Sequence, residues 1–224
     1  MDFIFTFEHD SNQRLYNLKS VLSYYRMRFP TNKFILSETG KSITDINSNV
    51  SNISHIFEKT IPPHSQSRTI NNGLQFSKES VVCIVDCDVV LVDYENIEMA
   101  YSLIKNEEFD YIIPYKKWYD LPNFSERIPN SQVDDYPIGG IFLINRNKFL
   151  EIGGMDEKYK GWGGEDDERH FRCKTKLKHK RMDGQVFHFP HPEQNEKYEW
   201  VKINKQHLDN DISNLDKAQE GSLI

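Results

Sequence analysis

Three short stretches of the chain hold side chains suited to chemistry. Asp86-Cys87-Asp88 lies within the most apolar run of the sequence, VVCIVDCDVVLVD at 81–93. Residues i and i+2 of a strand share a face, so one continuous strand would send both carboxylates the same way. In open α/β sheets ligands bind beyond the carboxyl ends of the strands. Two carboxylates there make a hard oxygen site suited to Mg²⁺ or Mn²⁺. A bare D-x-D is also common as a solvated strand-end turn, so its weight comes from the core run around it. His188-Phe-Pro-His191 ends a second apolar stretch. Pro190 breaks a strand and lets both imidazoles turn toward one point, and histidine suits Mn²⁺ as well as Zn²⁺. Taken alone, such a pair is more often a surface feature. The third stretch is YKGWGGEDDE at 159–168. Acids at a helix N-terminus are stabilised by the helix dipole, which accounts for one or two of the four. It does not account for Trp162, Gly163 and Gly164 directly ahead of them. Successive helical residues point about 100° apart, so Asp166 and Asp167 can do different work, one of them as a general base.

These residues need a scaffold, and the hydrophobic pattern supplies one. DFIFTF at 2–7 reads as a buried strand. Leu15, Leu18, Val21, Leu22 and Tyr25 recur at helical spacing, and Pro30 closes that helix. KFILS at 33–37 is a second strand with Glu38 at its end. Strand, helix, strand is the mark of a parallel α/β unit. A short strand near Ile56 and Phe57, a helix over 68–78 and one continuous central strand over 81–93 follow. Beyond them come a helix near 95–105, a strand near 109–113, a loop from 116 to 137, and a strand at 138–144. A helix over 166–178, a strand at 185–189 and a polar, helical then fraying tail complete the chain.

The bulk properties narrow the function. The chain has 224 residues, 38% hydrophobic and 12% aromatic, with a net charge of −6. That composition supports a packed core and speaks against a nucleic-acid binder, which would show a basic face. An acidic protein can still hold phosphates where a metal ion supplies positive charge. Cys83, Cys87 and Cys173 fit no disulfide or zinc framework and point to a reducing compartment. The N-terminus lacks a basic region ahead of its apolar run, and no apolar run is long enough to span a membrane. A single domain over 1–224 is expected.

The segment YPIGGIFLINRNKFLEIGGMDEKYKGWGGEDDERHFR at 136–172 resembles the β-1,4-galactosyltransferase and chondroitin-polymerase type of GT-A glycosyltransferase. The D-x-D run lies upstream and the histidines downstream, in that family's order. The resemblance implies an α/β, Rossmann-like nucleotide-sugar-binding fold with a mostly parallel central sheet flanked by helices. It divides the chain into a nucleotide-sugar half (1–93), an acceptor and catalytic half (94–198) and a tail (199–224). It implies an inverting transferase that moves a sugar from a UDP-sugar to a glycan hydroxyl. Asp88, His188 and His191 would hold Mn²⁺ (or Mg²⁺), with Asp86 close to the nucleotide. Asp166 would deprotonate the acceptor. Trp162, Gly140, Glu165 and Asp167 would contact donor or acceptor sugar. RTINNG at 68–73 is similar to the family's R-x-x-x-x-N-x-G helix, one residue shorter, which brings Arg68 and Asn72 toward the diphosphate. Where animal members carry an Arg-rich turn after the first strand, this chain has Phe7-Glu8-His9-Asp10; Phe7, Glu8 and Glu38 would meet the uracil. Pro137 stands where galactose-specific members carry an aromatic, which keeps UDP-Gal, UDP-GalNAc, UDP-GlcNAc and UDP-GlcA all open. Retaining relatives of the polypeptide N-acetylgalactosaminyltransferase type read W-G-G-E-N where this chain has Asp166, so a base is available and inversion is favoured. A soluble cytoplasmic enzyme of bacterial or viral origin fits these features best.

Two other readings compete. IVDCDVVLVD is also similar to the first motif of haloacid-dehalogenase-type phosphatases, with Asp86 as nucleophile and Asp88 as acid/base. In that family the motif sits on the first strand, and here about 80 residues precede it. A catalytically inactive sugar-nucleotide-binding module would keep the same binding residues.

Overall fold

The computed structural model describes residues 1–46, 53–61, 63–123, 125–126, 137–192 and 197–221. β1 (Asp2–Phe7) is buried along its whole length, as its unbroken apolar run requires of a strand covered on both faces. α1 (Asn12–Arg28) is capped by Ser11, whose Oγ accepts from the Arg14 amide at 3.2 Å. It buries Leu18, Val21, Leu22 and Tyr25, the stripe expected from their spacing. The chain returns as β2 (Lys33–Gly40), β3 (Ile53–Lys59), α2 (Gln66–Phe76) and β4 (Val81–Asp86). β1 pairs in parallel with both β2 and β4, and β3 adds in parallel outside β2. Close packing of α2 on β1 depends on Gly73, where a Cβ would come within 2.3 Å of the Ile4 side chain.

The remaining elements are β5 (Val89–Leu91), α3 (Glu95–Lys105), β6 (Tyr111–Ile113), β7 (Lys117–Asp120), β8 (Ser125–Glu126), β9 (Ile141–Asn145), α4 (Arg146–Glu151), α5 (Glu165–Lys176), β10 (His179–Arg181), β11 (Gln185–His188) and α6 (Lys197–Gly221). The main sheet has seven strands in the order β10-β6-β9-β4-β1-β2-β3. β9 alone runs antiparallel to its neighbours, β4 and β6. The expected mostly parallel α/β sheet with flanking helices is therefore present. A cluster of Phe3, Phe5, Tyr25, Phe29 and Phe34, with ring centroids 5.0–6.5 Å apart, fills the space between β1, β2 and α1.

The structure corrects three expectations. The 81–93 run is two strands rather than one: the chain turns at Cys87-Asp88, and β5 leaves the main sheet for a second, four-stranded sheet ordered β5-β11-β7-β8. An apolar run cannot reveal such a turn, because both segments are buried. Residues 117–120 and 125–126, expected as loop, are strands β7 and β8 of that second sheet; most of the rest of that stretch lies outside the described residues. Glu38 lies within β2, which runs on to Gly40. The polar C-terminal segment is a 25-residue helix, α6, docked over the loop ahead of α5. There the Trp200 ring lies against Gly161, where a Cβ would meet it at 2.3 Å and where φ is +67°. Asn204, 1% exposed, donates to the Lys160 and Trp162 carbonyls at 2.8 and 3.3 Å.

Candidate active site

A cleft of about 400 Å³ opens where the main sheet, the second sheet and the start of α5 meet. At one end lie Asp88, His188 and His191, whose ligand atoms all fall within 4.8 Å of one another. Asp88 sits in the turn between β4 and β5, His188 at the end of β11, and His191 just past Pro190. The turn does what the strand geometry alone would not. Asp88 faces the histidines, with 3.5 Å from its Oδ2 to His191 Nε2, while Asp86 faces another way and accepts from Thr6 Oγ1 at 3.0 Å and Gln66 Nε2 at 2.6 Å. Burial first, and then the charges of Asp88 and Asp166, push the Asp86 carboxyl well above the usual carboxylate range.

The histidine end is braced. His188 Nδ1 lies 2.8 Å from Asp120 Oδ1, and the same oxygen accepts from Trp118 Nε1 at 3.1 Å. A carboxylate on Nδ1 favours the tautomer that puts the lone pair on Nε2, the nitrogen on the Asp88 side. Asn17 donates to the Pro190 carbonyl at 3.0 Å and fixes the turn that carries His191. One carboxylate and two imidazoles, with a carboxylate behind one of them, form a donor set that suits Mn²⁺, so the residues fit a divalent cation. Arg14 from α1 reaches the same corner, its Nη2 3.1 Å from His191 Nδ1 and its Nη1 3.9 Å from Asp88 Oδ2.

At the other end is the first turn of α5, with Glu165, Asp166, Asp167 and Glu168 following Gly164, whose φ of +87° a residue with a Cβ rarely adopts. The four acids separate by environment. Glu168 turns inward and pairs with Arg172 at 2.6 Å. Glu165 is pushed up to about 8, by burial first and then by the Asp166 charge, and Asp167 is raised for the same two reasons in the same order. Asp166 has a cation: Arg169 Nη2 lies 2.9 Å from its Oδ1. Asp166 also lies hard against Gly139, where a Cβ would meet its Oδ2 at 2.4 Å. Trp162 is half exposed and lines the cleft beside them. Gly140, with φ of +79°, lets the Trp118 ring approach to where a Cβ would stand 2.6 Å away.

Most of the residues singled out in the sequence line this one cleft: Phe7, Glu8, Asp86, Asp88, Gly140, Trp162, Glu165, Asp166, Asp167, His188 and His191, with Pro137 also among the lining. Three do not. Glu38 is fully buried and spent on Thr44 and His55, at 2.5 Å from Thr44 Oγ1 and 2.6 Å from His55 Nε2. Arg68 and Asn72 turn to the outer side of α2, where both bind Glu58. The one-residue shortening of that helix motif changes the angle between the two side chains round the helix by about 100° relative to a full-length motif. Sequence reasoning missed Arg14, Gln66, Asp120, Gly139 and Arg169. Arg169 stands three residues after Asp166, a spacing at which helical side chains meet, and could have been found; Asp120 lies in a stretch without a local signal.

Comparison with known proteins bears on the fold and on one segment of the sequence. Residues 126–193 match a family described as the N-terminal domain of galactosyltransferase. Polypeptide N-acetylgalactosaminyltransferase 3 of Taeniopygia guttata is 30% identical over 105 residues, which make up 42% of this chain and 17% of that protein. Beta-1,4-galactosyltransferase 7 of Drosophila melanogaster is 41% identical over 46 residues, 20% of this chain and 14% of its own length. The chain thus spans less than a fifth of these relatives. They are animal proteins and lend no support to a bacterial or viral source. Among solved structures, the catalytic domain of the Drosophila beta1,4-galactosyltransferase 7 with xylobiose superposes with a TM-score of 0.52 at 20% identity, covering 82% of this chain and 66% of that one. GalNAc-T7 with UDP, GalNAc and Mn²⁺ gives 0.60 at 13% identity, covering 86% and 43%. TarS of S. aureus gives 0.61 at 12%, covering 84% and 60%. No helix among the described residues is long and apolar enough to cross a membrane. The chain has the fold of the GT-A glycosyltransferases and, over residues 126–193, matches the family described as the N-terminal domain of galactosyltransferase.

Proposed function

We propose that the chain is a metal-dependent glycosyltransferase that moves a sugar from a UDP-sugar to a glycan hydroxyl with inversion, with Asp166 as the general base. The observation that carries this reading is the sharing of one cleft by the Asp88–His188–His191 cluster and Asp166. A bound Mn²⁺ held by Asp88, His188 and His191 would stabilise negative charge on the departing diphosphate. Arg14, also in the cleft, offers the diphosphate a guanidinium. Phe7 and Glu8 line the side of the cleft where β1 ends, and they are the contacts available to the base. Asp166 takes the proton of the acceptor hydroxyl, which attacks the anomeric carbon from the face opposite the diphosphate. Trp162 offers a ring face to a sugar, and Glu165, held largely protonated near neutral pH, can donate to a sugar oxygen. A neighbour solved with UDP and Mn²⁺ and another with xylobiose support the donor, metal and acceptor classes. UDP-Gal, UDP-GalNAc, UDP-GlcNAc and UDP-GlcA are the donors to try.

A retaining reaction is the second reading, because the chain is 30% identical over 105 residues to a polypeptide N-acetylgalactosaminyltransferase. The phosphatase reading loses its nucleophile: Asp86 is bound by Thr6 and Gln66 and driven toward its neutral form. The test is UDP release with Mn²⁺ from the four donors, for wild type, Asp88→Ala and Asp166→Asn. The expected result is release from one donor, lost in both variants, with UDP binding kept in Asp166→Asn. NMR of the product's anomeric proton separates inversion from retention. Tight UDP binding without turnover of any donor would make the chain a binding module instead.

A further inference from the structure

Among the described residues, Arg169 is the largest fully buried side chain, at 0% exposure. It lies on α5 at a position facing the core, where the helical pattern calls for an apolar residue. Its guanidinium rests over the Phe142 ring at 4.0 Å. Nη1 donates to the Tyr111 hydroxyl at 2.8 Å, and Nη2 donates to the Ile138 carbonyl at 2.7 Å and to Asp166 Oδ1 at 2.9 Å. Burying a charge is costly unless it is paired and fully hydrogen-bonded, so the placing of its partner is informative. Arg172, one turn on, pairs with Glu168, whose side chain is 5% exposed; that pair closes a buried joint. Arg169 pairs instead with a carboxylate that is 28% exposed and lines the cleft. One end of the pair is locked in the core and the other is presented to the ligand.

Asp166 also has acidic company. Glu165 and Asp167 flank it on α5, Asp86 at the end of β4 lines the same cleft, and Tyr111 begins β6 with Tyr115 just past its end. Arg169 is the cation in contact with it. Gly139 closes the other side of Asp166, with its carbonyl held by the Tyr115 hydroxyl.

We propose that Arg169 is a positioning residue for the transfer reaction: anchored in the core, it fixes the Asp166 carboxylate at the cleft wall. This rests on the reading of Asp166 as the base. The test compares wild type with Arg169→Met, which keeps the bulk and removes the charge, and Arg169→Lys, which restores charge without the fork. Turnover is read as UDP release with Mn²⁺ from the four UDP-sugars, and donor binding as UDP affinity in the presence of Mn²⁺. In Arg169→Met, kcat falls on the order of 10²-fold, as for a reacting group out of place by about 1 Å. UDP affinity stays within about twofold of wild type, and the acidic limb of the kcat/KM profile moves to higher pH. Arg169→Lys recovers part of both effects. Adding Arg169→Met to Asp166→Asn costs nothing further. A ¹³C-carboxylate NMR titration of Asp166 reads the same contact without turnover, its midpoint moving upward in the Met variant. Should Arg169→Met not fold, Tyr111→Phe removes one guanidinium contact and gives a smaller change in the same direction. A folded variant with wild-type kcat, an unmoved pH limb or an unmoved NMR midpoint overturns the proposal. Full activity in Asp166→Asn overturns the base assignment instead, while the NMR midpoint still judges the Arg169 contact by itself.

Discussion

Gly139 is the most direct probe of the base. It precedes β9 and faces the first turn of α5, and an added methyl would lie 2.4 Å from Asp166 Oδ2. Ordinary contact begins at 3.4 Å, so in Gly139→Ala either the carboxylate or the strand entry must retreat by about 1 Å. Arg169 and Ile138 hold the far side of that joint, so the displacement falls on Asp166. Alanine is compatible with the backbone at 139, for which no left-handed φ occurs, and the methyl lies at the cleft wall rather than in the core. Stability should therefore change by less than about 1 kcal/mol. Displacing a catalytic group by about 1 Å costs on the order of 10²-fold in kcat. UDP binding, supported at the opposite end of the cleft, should not change. The assay is Mn²⁺-dependent UDP release under saturating donor, with a thermal melt and a UDP titration on the same sample. A folded Gly139→Ala protein with kcat within twofold of wild type would refute the reasoning, because it would mean that the position of Asp166 does not matter to the reaction.

Asp120→Ala removes the carboxylate behind His188; Mn²⁺ affinity by calorimetry should weaken about 10–100-fold, and an unchanged affinity would show that Asp120 does not orient the ring. His64 yields a pH prediction. Its imidazole is pushed down to about 4 by burial first and then by the Arg14 charge, so it is neutral at physiological pH and forms no charged pair with Glu8, 3.6 Å away. An unfolded histidine titrates near 6.5. The unfolded chain therefore binds more protons between these values. The associated stability, on the order of 3 kcal/mol, is fully present above pH about 6.5 and is lost as pH falls toward 4. Denaturant melts across that range should show the slope, and His64→Gln should flatten it; identical slopes in the two proteins would remove His64 as the cause.

Much of the fold was legible because its central strands are unusually unambiguous. DFIFTF and VVCIV are apolar without alternation, which only a doubly covered strand explains, and the α1 stripe is regular. What could not be read was the second sheet. β5, β7, β8 and β11 are two to four residues long, too short to carry a period, and β11 pairs with β7 and β5 across about 70 to 100 positions of sequence. The site followed the same division. Asp88, His188, His191, Glu165, Asp166 and Asp167 stand in dense local motifs, and the structure brings them to one cleft. Asp120 and Arg14 carry no motif and gain meaning only from long-range pairing. Arg68 and Asn72 showed the opposite error: a motif similar in letters but one residue short points its side chains elsewhere on the helix.

The second sheet has a consequence for how the metal corner keeps its dimensions. β11 pairs with β7 so that His188 stands opposite Asp120, and with β5 so that His188 stands opposite Val89, one residue past Asp88. Asp88, Asp120 and His188 are thus referenced to the same cross-strand row, while His191 and Arg14 reach the corner from outside it. The backbone ladder acts as a gauge: the distances are set by which residues exchange hydrogen bonds. Side chains alternate along a strand, so a slip of one residue would swing His188 to the opposite face. Point changes on the outward faces of β7 and β11 should be absorbed. Deleting a single residue from either would abolish the centre while leaving the seven-stranded sheet standing.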